Sequence, residues 1–184
     1  MKYYFGNVMN LVGENVIICV TTNKFVKKNG EAVMGCGIAK QVASYGKKLG
    51  INVPAIVGQI NKMGLNVAPI FSVSSGSNST TFVTFCVKPE WVIYNGNNIV
   101  NHMKNKFKIG DKVPGWAAKA DLEIIRESAL ELTKFLELDT RTVYLPFPGI
   151  GAGKLSRNEV LFVIDPILGF SDRIILCQYK RKGV

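Results

Sequence analysis

Residues 16–20, Val-Ile-Ile-Cys-Val, form an unbroken run of apolar, mostly β-branched side chains. A half-solvated strand alternates apolar and polar residues; a strand without alternation is buried on both faces. The run therefore calls for a sheet covered by helices. It ends in Thr21, Thr22 and Asn23, polar residues suited to the sheet's C-terminal edge. Further strands are expected over residues 53–60, 81–87, 142–147 and 173–179, where β-branched and aromatic residues gather. Helical spacing begins beyond the turn at Gly35 and Gly37. It returns from Asp121, where Leu122, Ile125, Ala129, Leu132 and Phe135/Leu136 recur at intervals of 3–4. A third helix is expected from Ser156, with Glu159 placed to close a capping box. Residues 71–80 are rich in Ser, Gly and Asn and read as a hairpin or an exposed loop. Strands alternating with helices define an α/β fold, three layers deep, with a mixed central sheet.

The chain has 184 residues, which fits a single domain spanning 1–184. Within it, residues 95–114 look like an exposed basic excursion: Asn95 to Asn98 is turn chemistry, and Lys104, Lys106, Lys108 and Lys112 follow. Lys180, Arg181 and Lys182 make a basic tail. The net charge is +10. Such an excess suits an anionic partner such as nucleic acid, a nucleotide, an acidic protein or an anionic membrane, and equally serves solubility. The four cysteines form no C-x-x-C pair, and His102 alone could join them as a soft ligand, so no metal site is expected. Cys19, Cys86 and Cys177 sit in apolar runs and read as small buried hydrophobes of a reduced, cytoplasmic protein. No apolar stretch is long enough to span a membrane, the opening residues carry no signal-peptide pattern, and no membrane partner is expected.

The chemistry concentrates in two Gly-rich segments, each following a strand and opening a helix: Gly35-Cys36-Gly37 and Gly149-Ile150-Gly151-Ala152-Gly153. Backbone N–H groups at such turns, with a helix N-terminus behind them, hold phosphate oxygens. Two of them could grip a diphosphate from opposite sides; as a bland alternative they are merely turns. Neither spells a Walker A loop or a G-x-G-x-x-G fingerprint, since Lys154 is followed by Leu155 and no acid stands at the required distance. A P-loop NTPase and a dinucleotide dehydrogenase are therefore disfavoured. Lys88 directly follows an apolar strand. There it is either a surface lysine or a desolvated amine with a lowered pKa and nucleophilic character. Cys36, near a helix start, is either a thiolate site or a filler. Trp91 either packs over a ligand or belongs to the core. The lysines at 104–112 form a solvated loop or meet a polyanion, and His102 is expected in solvent.

Residues 20–23 (Val-Thr-Thr-Asn) followed by Val33-Met34-Gly35-Cys36-Gly37-Ile38-Ala39-Lys40-Gln41 resemble the first ligand loop of macrodomains, the ADP-ribose-binding modules. The form is similar to the branch that holds DarG-type antitoxins and terminal ADP-ribose glycohydrolases. Phe5-Gly6-Asn7-Val8 resembles the start of that fold, residues 146–153 the second phosphate loop, and Phe85 to Trp91 the segment bearing the branch's catalytic lysine. The resemblance implies a macrodomain with no cofactor whose ligand is ADP-ribose or an ADP-ribosylated macromolecule, nucleic acid among the candidates. It implies adenine contact at Asn7 and distal-ribose contact at Asn23. The diphosphate would be held by Val33, Met34, Gly35, Cys36, Gly37 and Ile38 on one side. Pro148, Gly149, Ile150, Gly151, Ala152, Gly153 and Lys154 would hold it on the other. Trp91 would lie over the ligand and Lys88 would be catalytic. The implied activity is hydrolysis releasing ADP-ribose. Alternatives are an ADP-ribose 1″-phosphate phosphatase, a non-catalytic nucleotide binder, and a basic nucleic-acid binder with no nucleotide pocket. Protein-directed glycohydrolases of the family carry an acid after the second loop, where this chain reads Lys154-Leu155-Ser156.

Overall fold

The computed structural model describes residues 1–179; the expected basic tail at Lys180–Lys182 lies outside them. Eight strands and four helices follow in chain order. They are β1 (Lys2–Phe5), β2 (Val16–Asn23), α1 (Gly37–Lys48), α2 (Val53–Lys62), β3 (Pro69–Ser75), β4 (Asn78–Lys88), β5 (Trp91–Ile93), β6 (Lys112–Pro114), α3 (Leu122–Glu137), β7 (Thr142–Pro146), α4 (Arg157–Leu168) and β8 (Ile174–Gln178). Six strands form the central sheet in the order β1-β8-β7-β2-β4-β3. Every neighbouring pair is parallel except β3 with β4. The sheet is mixed, as expected.

Alternation along β2 sends Ile17 and Cys19 to one face and Ile18 and Val20 to the other, and all four are fully buried. On the first face they meet Ile125, Ala129 and Leu132 of α3 and Val160, Ile164 and Leu168 of α4. On the second they meet Ile38, Ala39 and Val42 of α1 and Val53, Val57 and Ile60 of α2. Two helices on each face complete the three layers. The capping box is present: Ser156 Oγ accepts from the Glu159 N–H at 3.3 Å, and Glu159 Oε2 accepts from the Ser156 N–H at 2.7 Å. Cys19, Cys86 and Cys177 are buried and Cys36 is exposed.

The structure corrects one expectation and sharpens two others. Residues 53–60 lie in helix α2, not in a strand. Asn52 accepts the Ala55 N–H at 3.2 Å and caps the first turn, which also holds Pro54. Val53, Val57 and Ile60 then fall on one buried face at steps of four and three, and this period outweighs their β-branched preference. Residues 71–80 take the hairpin of the two expected forms, and most of them are strand. Phe71 lies inside β3, Asn78 begins β4, and Gly76-Ser77 turns between them with Ser75 opposite Asn78. Residues 95–114 are more than a solvated excursion. They fold with β5, β6 and a 3₁₀ turn at Asn101–Lys106 around Tyr94, Ile99, Val100, Met103, Val113 and Ala117. Lys106, Lys108 and Lys112 remain exposed, as does His102. β1 had no sequence signal of its own; its four residues are held by pairing with β8.

Candidate functional site

Five parallel strands end along one edge of the sheet: β1 at Phe5, β8 at Gln178, β7 at Pro146, β2 at Asn23 and β4 at Lys88. At ~4.8 Å per strand, the row from β1 to β4 is about 19 Å long. In sheets of this kind ligands bind outside the carboxyl ends of the strands. The expected site residues sit on or just beyond this edge: Asn7 after β1, residues 33–38 beyond β2, Lys88 and Trp91 at β4, and residues 148–154 after β7.

The first segment is tied to the sheet by Asn23. Its Nδ2 donates to the Val33 carbonyl at 2.9 Å and its Oδ1 accepts the Phe25 N–H at 3.2 Å. The Asn23 carbonyl accepts from Asn61 Nδ2 at 2.8 Å. Asn23 thus spends both ends of its amide on the protein and positions the loop. Gly35, Cys36 and Gly37 are exposed, whereas Ile38 is buried among the α1 and α2 side chains and Met34 packs beside them. Cys36 stands at the N-cap of α1 without a side-chain cap bond, and no acid lies in the first turn. The opening amides of α1 are left without a side-chain acceptor.

The second segment folds back on itself. Gly149 has φ +75°, and a Cβ at Gly153 would fall 2.3 Å from the Gly149 carbonyl oxygen, so the turn closes only with glycine at both points. The Ala120 N–H donates to the Gly153 carbonyl at 2.9 Å and fixes the turn to the start of α3. Pro148, Gly149 and Gly153 are buried, Ile150 is half-buried, and Gly151, Ala152 and Lys154 are exposed. Among the described residues, no acceptor lies in hydrogen-bonding geometry to the amides of Gly151, Ala152 or Gly153. Gly151 has no atom within 4 Å of where a Cβ would stand and its φ is not positive, whereas Gly37 has φ +59°. Gly151→Val is therefore the cleaner probe of anion binding. It should abolish most phosphate affinity while leaving the thermal midpoint nearly unchanged; normal binding by this variant would reduce the segment to a turn.

Lys88 ends β4 and is only 7% exposed. Its Nζ donates to the Ala152 carbonyl at 3.2 Å and to the Trp116 carbonyl at 3.3 Å. Burial pulls its pKa down to about 8; Cys36 opposes that shift and the charge of Lys154 adds to it. Lys88 is thus tied to the second Gly-rich segment and to the backbone at Trp116. The chain that carries residues 95–114 departs after Lys88 and closes beside it: the Gly115 N–H donates to the Glu90 carbonyl at 2.7 Å, one residue before Trp116.

The remaining expected residues lie at the two ends of the row. Asn7 Nδ2 donates to Gln41 Oε1 at 3.0 Å and its Oδ1 accepts the Met9 N–H at 3.1 Å. Trp91 is neither core nor free. Its ring meets Phe25 edge-on at 4.9 Å, Lys112 Nζ lies 4.7 Å from its centroid, and its Nε1 donates to Glu90. Two open grooves of about 540 and 750 Å³ flank α1 and share Lys40 and Ser44; the larger is lined by Val33, Met34 and Gly35. Lys88 lies outside both, beneath the second segment. Sequence reasoning missed the Trp116 carbonyl, which lies 28 residues beyond Lys88, and Arg157, whose guanidinium sits 4.9 Å from the Tyr3 ring and 5.0 Å from the Phe147 ring. Among the described residues, no group of three or more His, Cys, Asp or Glu could hold a metal ion, and no helix is long and apolar enough to cross a membrane.

A parallel core of five strands, two helices per face and two Gly-rich turns over one edge define the macrodomain fold. The solved structures agree. The macrodomain of Mycobacterium tuberculosis DarG superposes with a TM-score of 0.62 at 16% identity, covering 98% of this chain and 97% of that one. The macrodomain of Thermus aquaticus DarG gives 0.57 at 16% identity over 98% and 97%. Thermosipho africanus DarTG in complex with ADP-ribose gives 0.58 at 14% identity, over 91% of this chain and 39% of that one. No family profile and no curated protein matches the sequence.

Proposed function

We propose that this chain binds ADP-ribose along the C-terminal edge of its sheet and hydrolyses the bond joining C1″ to a modified macromolecule. The observation that carries the reading is Lys88: a buried amine at the strand end, hydrogen-bonded to the very turn whose free amides suit a phosphate. The likeness to macrodomain structures, one of them holding ADP-ribose, supports it.

The diphosphate lies between residues 35–38 and 149–153, which fixes C1″ relative to Lys88. A neutral amine has two N–H bonds, and the Ala152 and Trp116 carbonyls account for both. The lone pair is left for the crevice. It attacks C1″ as the bond to the leaving group breaks, through an oxocarbenium-like state. The proton shed by the new C–N ammonium passes to the departing atom; water then displaces Lys88, a proton of that water passing to the departing amine, and ADP-ribose is released. The charge of +10 supports a nucleic-acid substrate.

Because the Lys88 pKa is about 8, roughly a tenth of it is neutral at pH 7 and half at pH 8. Turnover should rise through pH 8 and level off near pH 9. A rate that falls over this range would make Lys88 a proton donor instead. Parallel incubation with ADP-ribosylated DNA, ADP-ribosylated protein and ADP-ribose 1″-phosphate, with products resolved by mass, tests the reading itself. Release of ADP-ribose from none of them, with ADP-ribose still bound, would establish a reader. The lack of an acid in Lys154-Leu155-Ser156, directly after the second loop, favours that second reading.

A further inference from the structure

The amide side chains just beyond β1 form a relay with one possible orientation. The Met9 N–H donates to Asn7 Oδ1 at 3.1 Å. A backbone N–H cannot accept, so Asn7 must turn its oxygen toward Met9 and its Nδ2 away. That Nδ2 donates to Gln41 Oε1 of α1 at 3.0 Å. An amide nitrogen cannot accept either, so Gln41 must turn its own Nε2 away from Asn7. Among the described residues, no acceptor lies in hydrogen-bonding geometry to Gln41 Nε2. Gln41 is half-buried and lines the groove of about 540 Å³ that Met9 shares with α1. The charged groups lining that groove are Lys40 and Lys48, and none of its lining residues is a carboxylate. This end of the crevice thus presents donors.

With C1″ at Lys88 and the diphosphate between the turns after β2 and β7, the base of the ligand falls at the opposite end of the row, beside Asn7 and Gln41. Adenine fits those donors poorly. Its outer edge carries one acceptor, N7, and one donor, the 6-amino group, whereas guanine carries two acceptors there, N7 and O6. An amino group against Gln41 Nε2 sets donor against donor, and donors desolvated without a partner weaken binding. A 6-oxo group accepts instead. We infer that Gln41, oriented through Asn7 by the Met9 amide, selects a purine with a 6-oxo group, so that this crevice holds a nucleotide of hypoxanthine or guanine in preference to one of adenine. This rests on the proposed reading of the crevice and changes only the base. ADP-ribose still binds through its diphosphate and sugars, as the weaker ligand. Hypoxanthine and guanine offer the same oxygen and differ by the 2-amino group of guanine.

The test is calorimetry with ADP-ribose and its inosine and guanosine counterparts, IDP-ribose and GDP-ribose. The wild-type protein should bind at least one of the two 6-oxo nucleotides about tenfold more tightly than ADP-ribose, and the tighter of the two identifies the base. Gln41→Glu keeps one oxygen for Asn7 Nδ2 and turns the other outward as an acceptor, so ADP-ribose should become the tighter ligand. Asn7→Asp should do the same without altering Gln41: its second oxygen draws Gln41 Nε2 inward and leaves Gln41 Oε1 to face the 6-amino group. Thermal midpoints of both variants, expected close to wild type, separate misfolding from selectivity. Equal affinity of the wild-type protein for all three nucleotides, or tighter binding of ADP-ribose, overturns the inference and leaves the parent reading standing. So does a 6-oxo preference that the folded variants retain. A wild-type protein that none of the three saturates overturns the parent reading, and this one with it.

Discussion

Lys88→Ala is expected to lower turnover about 100-fold or more, the scale set by a positioned catalytic group. The loss should fall on the chemical step. ADP-ribose affinity should change far less, because the proposed reading gives the diphosphate to the backbone amides after β2 and β7, with Lys88 beneath the second of these segments. Lys88→Arg should not restore activity. A guanidinium stays protonated at any working pH and has no lone pair for carbon. Truncation leaves the Ala152 and Trp116 carbonyls without their donor, so some loosening of the second segment is expected as well. A Lys88→Ala protein with wild-type turnover would remove this lysine from the mechanism.

Gly115→Ala should have the largest effect on stability. A Cβ at Gly115 would stand 1.6 Å from the Pro89 carbonyl oxygen and 2.9 Å from that of Glu90. Both are backbone atoms that cannot swing aside, so the excursion must shift where it closes on itself. About 3 kcal/mol is a reasonable cost for such overpacking, or roughly 6–12 °C in thermal midpoint for a chain of this size. The same shift moves Trp116, and with it one of the two carbonyls that hold the Lys88 amine. Activity should fall even at temperatures where the variant is folded. A variant with both midpoint and activity unchanged would show that the return of the excursion does not position Lys88.

Local features were legible in the sequence. Ser156 and Glu159 carry their capping box within four residues, and Asp121 marks the start of α3 by accepting the Glu123 N–H at 2.8 Å. Residues 16–20 declared a doubly covered strand because nothing polar interrupts them. The expectation failed where a short segment carried two messages. Residues 53–60 are β-branched like a strand, yet Asn52 and Pro54 start a helix whose buried face needs only Val53, Val57 and Ile60. It failed again where order comes from a partner distant in sequence: β1 exists because β8 lies beside it, with Lys2 opposite Ile175. The lysines of residues 104–112 hid the apolar residues Ile99, Met103 and Val113, which build a small core beneath them.

The site divides the same way. Glycines after strands announced both turns, and Lys88 at the end of an apolar strand announced itself. The hydrogen bonds that make the site were not readable, since they run from side chain to distant backbone. Asn23 anchors the Val33 carbonyl ten residues on, a bond that nothing in its own neighbourhood announces. Trp116 contributes only a carbonyl, a group every residue possesses.

Calorimetric titration with ADP-ribose and with AMP tests the central claim most directly. ADP-ribose should bind in the micromolar range, about −8 kcal/mol, because it reaches both Gly-rich turns and the Lys88 end of the row. AMP has one phosphate and no distal sugar and should bind much more weakly. Equal affinity for the two, or no saturable binding of ADP-ribose, would contradict a crevice that clamps a diphosphate between residues 35–38 and 149–153.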